Sequence, residues 1–151
     1  MIWLKRTWVV VFLLMLAFPA CAFTFLYGDL FSVEHISNAD GNLQMPLSRK
    51  KYKNVKILSK ELYRFLKSCP ADCAYPSVGR AVEIVEIRAA KSQPNMLIAE
   101  VAFNEQIQLT FLLFKEKKGV SVKFPNDVIF QDKKFKQQIQ AQLEARAAEV
   151  L

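Results

Sequence analysis

The sequence predicts an α+β fold, in which an N-terminal apolar helix precedes a small α-β-β-β-β-α domain with an antiparallel four-stranded sheet. Three observations predict this order. Residues 7–27 carry no charge, apolar residues recur at helical spacing near 55–68 and 135–150, and alternating or β-branched segments fill the stretch between. A chain of 151 residues accommodates one domain. We therefore expect an apolar segment over 1–28, an irregular linker over 29–54 and the folded domain over 55–151.

The apolar segment has the layout of an export or membrane signal. Lys5 and Arg6 precede 21 residues without charge. In one interpretation this is a cleaved signal peptide, in which Pro19 ends the helix and the small residues Ala20 and Ala22 define a cleavage site after Ala22. The remaining domain would then be periplasmic or secreted.

Two other interpretations of the segment stay open. As a helix, residues 7–27 would span about 31 Å, enough to cross the hydrocarbon core of a bilayer, with Trp3, Trp8 and Tyr27 near the interfaces. The segment would then be an inner-membrane anchor, with the domain facing the periplasm. A lipoprotein signal ending at Cys21 is the third interpretation. All three place residues 29–151 outside the cytoplasm.

The cysteines are consistent with export. Cys21 lies in the apolar segment, which leaves Cys69 and Cys73 as a pair in the domain. An even number of cysteines in an oxidising compartment predicts a disulfide bond. Free thiols and redox or metal chemistry are the alternatives. A redox pair of the thioredoxin type would have two intervening residues rather than three, and a metal site would have His35 as its sole histidine.

A run of basic residues from position 49 to 60, in a chain of net charge +7, leads into the first predicted helix and precedes its first acid, Glu61. One interpretation is a solvated helix face, and the other is contact with an acidic protein partner or with anionic lipid headgroups. Nucleic acid is not expected as a partner, because the chain is exported and the run contains a single aromatic residue, Tyr52, for stacking. The candidate contact residues are Arg49, Lys50, Lys51, Lys53, Lys56 and Lys60.

Two segments have the apolar spacing of amphipathic helices. The first helix is expected near 55–68 and is followed by Pro70. Its apolar face comprises Val55, Leu58, Leu62, Phe65, Leu66 and Cys69. The second helix carries a narrow stripe of Phe135, Ile139, Leu143, Ala147 and Val150. Such a stripe fits a helix lying on a sheet, and a coiled-coil seam is the alternative.

Four segments between these helices predict β-strands. Residues 81–87 are rich in β-branched side chains, residues 96–103 form a second apolar run, and residues 107–114 and 120–124 contain alternating apolar and polar side chains. Short links join them. Because parallel neighbours need long crossover connections, these four strands should pair as an antiparallel meander.

A helix against a curled antiparallel sheet resembles the general plan of cystatin-like and related cone-shaped domains. The resemblance is one of architecture and does not imply protease inhibition, because the Gln-x-Val-x-Gly loop of the inhibitory cystatins is missing from the sequence. The open end of such a sheet can leave a cavity. The candidate lining residues of an apolar pocket are Phe103, Phe111, Leu113, Phe114, Val122 and Phe124.

The sequence offers little material for catalysis. Glu83, Glu86 and Glu100 are the candidates for an acid–base pair, but Glu83 and Glu86 are three positions apart and should point to opposite faces of a regular strand. His35 lies in the expected linker, and the sequence contains no nucleophile-elbow motif and no glycine-rich phosphate loop. We expect no enzymatic activity, no cofactor and no metal.

Two functions fit these expectations. The first is a non-enzymatic cell-envelope protein whose exported domain binds another protein, as an accessory, assembly or stabilising subunit of a membrane complex. Its size and layout resemble those of small bitopic partners of membrane-bound transcription activators and of small envelope subunits of secretion machines, a likeness of architecture alone. The second is a soluble exported domain that binds a small apolar ligand or lipid within a curled sheet. An uncleaved segment 7–27 would add the membrane as a partner.

Overall fold

The structure is a computed structural model that describes residues 22–39, 41–46 and 53–150. These residues form a mixed α+β fold with two helices and mainly antiparallel strands. The first strands are β1 (Phe23–Tyr27), β2 (Phe31–Ala39), β3 (Asn42–Gln44) and β4 (Val55–Ile57). Helix α1 (Lys60–Lys67) and strand β5 (Cys73–Tyr75) follow. The remaining elements are β6 (Val82–Ala89), β7 (Met96–Phe103), β8 (Ile107–Glu116), β9 (Gly119–Lys123), β10 (Val128–Phe130) and α2 (Lys133–Val150).

One sheet, which we call the meander sheet, contains the predicted antiparallel meander but has five strands rather than four. Strands β6, β7, β8 and β9 each pair antiparallel with the next strand along the chain. Strand β4 pairs with the start of β8 and β9 with its end, on the edge of β8 that β7 leaves open. Asn104 and Glu105, in the turn between β7 and β8, have positive φ angles of 52° and 57°, the conformation of a type I′ turn.

A second sheet, which we call the N-terminal sheet, contains strands that the sequence analysis does not predict. Its order is β10-β2-β1-β5, with β3 also paired to β2, and the β1–β5 pair is parallel. The prediction of an irregular linker over 29–54 is therefore wrong for the residues of β2 and β3. A bulge disturbs the alternation of β2: its register with β1 shifts between Phe23 and Phe25, and His35 adopts a φ of 62°.

One hydrophobic core joins residues of both sheets and both helices. Aromatic rings from the two sheets meet in it: the centroids of Phe31 in β2 and Phe103 in β7 are 5.2 Å apart, and the Tyr27 ring of β1 lies 5.1 Å from that of Phe31. These three side chains are fully buried. The two sheets therefore share one interior rather than forming separate units.

Helix α2 packs against the meander sheet, as the narrow apolar stripe predicts. The buried members of the stripe are Phe135, Ile139, Leu143 and Ala147, whereas Val150 is exposed. Because these four side chains are buried within their own chain, the coiled-coil alternative is wrong for them.

Helix α1 begins later than the sequence predicts. Ser59 is its N-cap and accepts the N–H of Leu62 at 3.2 Å. Leu62 and Leu66 are buried as expected, but Leu58 is exposed. The prediction of helix over 55–68 is wrong for residues 55–59, of which Val55–Ile57 forms β4. Backbone hydrogen bonding to β8 outweighs the helical spacing of a three-residue segment.

Arg80 connects three segments at the start of α2. Its guanidinium donates to Asp132 at 2.8 Å and to Asp29 at 3.1 Å, and it lies 5.6 Å from the centroid of the Phe135 ring. Asp132 caps α2 by accepting the backbone N–H groups of Lys134 and Phe135. The hydrogen bond from Phe135, followed by that from Arg80, holds the pKa of Asp132 below its ordinary value. The helix is thus tied to the turn between β1 and β2.

The N-terminal apolar segment lies outside the described residues as far as residue 21. The anchor interpretation extends a membrane helix to Tyr27, but Phe23–Tyr27 forms β1 instead. That part of the prediction is wrong, because β1 is paired with β2 and β5 and its inward side chains enter the core. Within the described ranges, neither helix combines the length and the apolar character needed to cross a membrane.

The predicted disulfide bond joins Cys69 and Cys73, whose Cα atoms are 6.1 Å apart. It connects the end of α1 to β5, in which Cys73 is paired with Phe25 of β1. In the same loop, the Asp72 carboxylate accepts the backbone N–H of Thr24 at 2.8 Å. The loop therefore fastens α1 to the edge of the N-terminal sheet.

Replacing both bridged cysteines, Cys69→Ser with Cys73→Ser, should lower the free energy of unfolding by about 2 kcal/mol, because the bridge restricts only a short loop of the unfolded chain. Denaturant unfolding of the oxidised protein and the variant measures the difference. The reduced unmodified protein is the control and should match the variant. Two reactive thiols in the folded, unreduced domain would remove the basis of this prediction.

Candidate functional site

The face of the meander sheet that points away from the core is shaped by a bulge in β6. Just before Glu86 the pairing of β6 with β7 shifts, so Val85 is an extra residue, and it is 50% exposed. The bulge puts Glu83 and Glu86 on the same face, where Glu86 is directly opposite Glu100 of β7. The expectation that Glu83 and Glu86 point to opposite faces is therefore wrong.

Arg88 lies between the two facing carboxylates. Its guanidinium donates to Glu100 at 2.9 Å and approaches Glu86 at 3.4 Å. Like charges directly across a strand pair repel each other, and the guanidinium offsets that repulsion. We call the group formed by Glu86, Arg88 and Glu100 the ion cluster. Two carboxylates that share one permanent cation are suited to holding charge on a sheet surface. A general acid needs instead a carboxyl group that stays protonated.

A groove of about 440 Å³ runs over this outward face beside the ion cluster. We call it the basic groove. Strand β4 and the residue pair before it form one wall, where the backbone carbonyl groups of Lys53 and Asn54 accept hydrogen bonds from Thr110. Its lining residues are Lys53, Lys56, Val85, Arg88, Ile98, Glu100, Gln108 and Thr110.

The basic groove combines excess positive charge with a small apolar surface. Lys53 and Lys56 are exposed, and within the described ranges neither forms an ion pair with a carboxylate. Arg88 is already paired with Glu100, so the two lysines provide the unneutralised charge. Val85 and Ile98 add apolar contact area. This composition suits an extended segment that presents carboxylates beside an apolar side chain.

The basic residues of the run between positions 49 and 60 that the structure describes do not all lie together. Lys53 and Lys56 line the basic groove, whereas Lys60 begins α1 and lines a separate groove of about 240 Å³ with Leu58 and Tyr63. The other three candidates, Arg49, Lys50 and Lys51, lie outside the described residues. The described part of the run therefore does not form a single helix face.

The candidate residues for an apolar pocket lie in or against the core or on the opposite face of β8. Phe103, Phe111 and Leu113 are buried in the core, and Val122 and Phe124 pack against it. Phe114 is on the opposite face of β8, across from Met96. Neither of the two grooves described above is lined by any of these six side chains. Their aromatic rings pack against one another instead, as in the edge-to-face contact of Phe111 with Phe124 at 5.0 Å.

A partly buried polar network, which the sequence pattern does not predict, joins the two sheets. The Tyr27 hydroxyl donates to Oε1 of Gln106 and accepts from Nδ2 of Asn104 at 3.1 Å. Asn104 also donates to the carbonyl of Gly79 at 2.7 Å and accepts the N–H of Ala81 at 3.0 Å. Burial is the main cause that raises the pKa of Tyr27 above its ordinary value. The clue in the sequence is a tyrosine inside an otherwise apolar strand.

His35 is exposed, and it lies in strand β2 rather than in a linker. Its Nδ1 atom is 2.9 Å from Oδ1 of Asp127, and the backbone carbonyl of Asp127 accepts the N–H of Glu34 at 2.8 Å. The contact attaches the bulge of β2 to the loop before β10.

In the part of the chain that the structure describes, no three histidine, cysteine or acidic side chains are grouped as metal ligands would be. Comparison of the chain with protein-family models, with curated proteins and with solved structures finds no match. The basic groove and the ion cluster beside it are therefore interpreted from their own geometry.

Removing the Tyr27 hydroxyl (Tyr27→Phe) should lower the free energy of unfolding by about 1 kcal/mol, because the hydrogen bonds of this buried side chain to the half-buried amide groups of Gln106 and Asn104 are lost. The pH dependence should change as well. The pKa of Tyr27 is raised in the folded state, so its contribution is complete below about pH 10, the unfolded value, and is lost as the pH rises through the folded pKa.

Denaturant unfolding from pH 7 to 11 measures both effects. Tyr63→Phe is the matched control, since Tyr63 is 41% exposed and makes no such network. Equal stability losses for the two variants, or the same alkaline decline in Tyr27→Phe as in the unmodified protein, would contradict the role given to Tyr27.

Proposed function

We propose that this is a non-enzymatic cell-envelope protein whose exported domain binds another protein. It acts as an accessory, assembly or stabilising subunit of a membrane complex, such as a secretion, surface-structure or membrane-sensor system. The proposal combines the apolar export segment of the sequence with one surface feature, the basic groove on the outward face of the meander sheet. The groove is the main observation behind the proposal, because its positive charge and its apolar surface together suggest a binding partner.

The groove favours a protein segment as its ligand for two reasons. Its cationic side chains, Lys56 of β4 and Lys53 just before that strand, line the groove together with an apolar patch formed by Val85 and Ile98. In a partner segment, an apolar side chain would pack on the apolar patch while carboxylates on either side of it pair with the two lysines. Such a segment gains charge complementarity and apolar burial together. We infer a partner segment that is acidic and extended and that carries at least one apolar residue.

A lipid headgroup is the other anionic ligand for the same lysines. Headgroup contact requires basic side chains that reach a flat membrane surface together. Lys60 belongs to a different groove, and Lys53 and Lys56 are placed beside a concave patch with an ion cluster. These positions favour the protein partner.

The proposal that the protein is not an enzyme rests on the chemistry of its candidates. Glu86 and Glu100 share the permanent cation of Arg88, which is an arrangement for holding charge on a surface. His35 is exposed and contacts Asp127 without a nucleophile among its hydrogen-bond partners.

Reversing the charge of the groove lysines, Lys53→Glu with Lys56→Glu, should reduce capture of the partner about 10-fold, because both contacts become repulsive. A photo-crosslinking residue in place of Gln108, inside the groove, measures capture in the native membrane. The same residue in place of Ser92, in the turn between β6 and β7, is the positional control. Lys117→Glu with Lys118→Glu is the charge control, since both lysines lie in the turn between β8 and β9.

The expected result is one discrete protein adduct from position 108, lost in the groove variant and retained in the charge control. Equal adducts from both positions, or an adduct that survives charge reversal in the groove, would contradict the proposal. So would binding to vesicles of anionic lipid that charge reversal abolishes when no protein adduct forms at position 108.

A further inference from the structure

Strand β1 begins immediately after a sequence that resembles a cleavage site. Its first residue, Phe23, is 5% exposed, and Phe25 and Tyr27 have no exposed surface. The strand is paired on both sides, with β2 and with β5. Residues 23–27 are therefore part of the folded domain, with Phe23, Phe25 and Tyr27 in its interior, and are not available to a membrane helix.

The uncharged stretch that remains ahead of β1 is short for an anchor. It runs from Thr7 to Ala22, 16 residues, and would extend about 24 Å as a helix. The hydrocarbon core of a bilayer is roughly 30 Å thick. Ala20 and Ala22 occupy the third and first positions before Phe23, where export endopeptidases require small residues. Ala22 itself is exposed and outside regular structure.

The disulfide loop, residues 69–73, places the carboxylate of Asp72 beside the start of β1. Oδ1 of Asp72 accepts the N–H of Thr24 at 2.8 Å, and Asp72 makes no other hydrogen bond or ion pair within the described ranges. Successive residues of an extended chain advance about 3.5 Å. The backbone nitrogen of Phe23 is therefore roughly one residue away from the nitrogen that Asp72 already binds.

We propose that the chain is cut between Ala22 and Phe23, and that Asp72 pairs with the amino terminus this creates. The cut is a hydrolysis by an export endopeptidase: water adds across the amide bond, Ala22 leaves with the new carboxylate and Phe23 keeps an ammonium group. In the uncut chain the Phe23 nitrogen is a neutral amide, so the charge pair forms only after processing. The inference shares the export step with the proposed function but does not depend on the basic groove.

N-terminal sequencing of the full-length chain expressed with its own leader tests the cut. The expected sequence is Phe-Thr-Phe-Leu, from Phe23 onward. Ala22→Leu should abolish processing, because the side chain is too large for the peptidase, whereas Ala22→Ser should leave it intact. A start at Met1 in the membrane fraction, a lipid-modified Cys21 as the first residue, or processing of Ala22→Leu at this bond would overturn the proposal.

The role of Asp72 is tested by a double-mutant cycle on processed protein. One change is Asp72→Asn, which retains a hydrogen-bond acceptor for Thr24. The other inserts Gly-Ser between Ala22 and Phe23, which moves the ammonium group away from Asp72 and is verified by sequencing. Asp72→Asn should raise the unfolding equilibrium constant about 2- to 5-fold more in the chain that starts at Phe23 than in the extended chain.

Equal effects of Asp72→Asn in the two chains would show that no charge pair exists and would overturn that part of the proposal. The two experiments are independent of the crosslinking test. A chain that is cut before Phe23 but gives no adduct from position 108 would support this inference and contradict the proposed partner site.

Discussion

Strand β1 pairs with β2 on one side and with β5 on the other, while Phe25 and Tyr27 reach into the core without any exposed surface. Complete burial of one such aromatic side chain is worth about 1.5–3 kcal/mol. Tyr27 also joins the turn between β7 and β8 through Asn104 and Gln106, so the same strand holds the two sheets together. The disulfide loop is attached to this strand through Cys73 and Asp72.

This arrangement determines what the meander sheet can do. One face is committed to the shared core, where it contacts α2 and the N-terminal sheet. The other face carries the bulge of β6, the ion cluster around Arg88 and the basic groove. Because the aromatic residues of the inner face pack against one another, the proposed binding chemistry is assigned to the outer face.

The sequence predicts the elements whose pattern is regular. The meander, helix α2 and the disulfide bond follow from alternation, helical spacing and the cysteine count. The two bulges are harder to predict. The extra residue in β2 breaks the alternation around His35, so this strand does not show a regular pattern, and Val85 of β6 has the sequence character of an ordinary apolar strand residue. The spacing of the half-buried Ile84 and Ile87 is the trace that the second bulge leaves in the sequence. The basic groove could not be predicted, because one of its walls is β4, whose Lys56 pairs with Gln108 of β8, more than 50 positions further along the chain, and the sequence does not specify that pairing.

The amide hydrogens of β1 provide the most direct measurement of the central claim, that this strand belongs to the interior of the domain. Hydrogen exchange should show the amides of Phe25 and Tyr27 opening with the same free energy as those in the centre of β7, since both strands would be exposed only by global unfolding. Exchange of the β1 amides at the rate of an unstructured chain, while β7 stays protected, would contradict this structure of the N-terminal sheet.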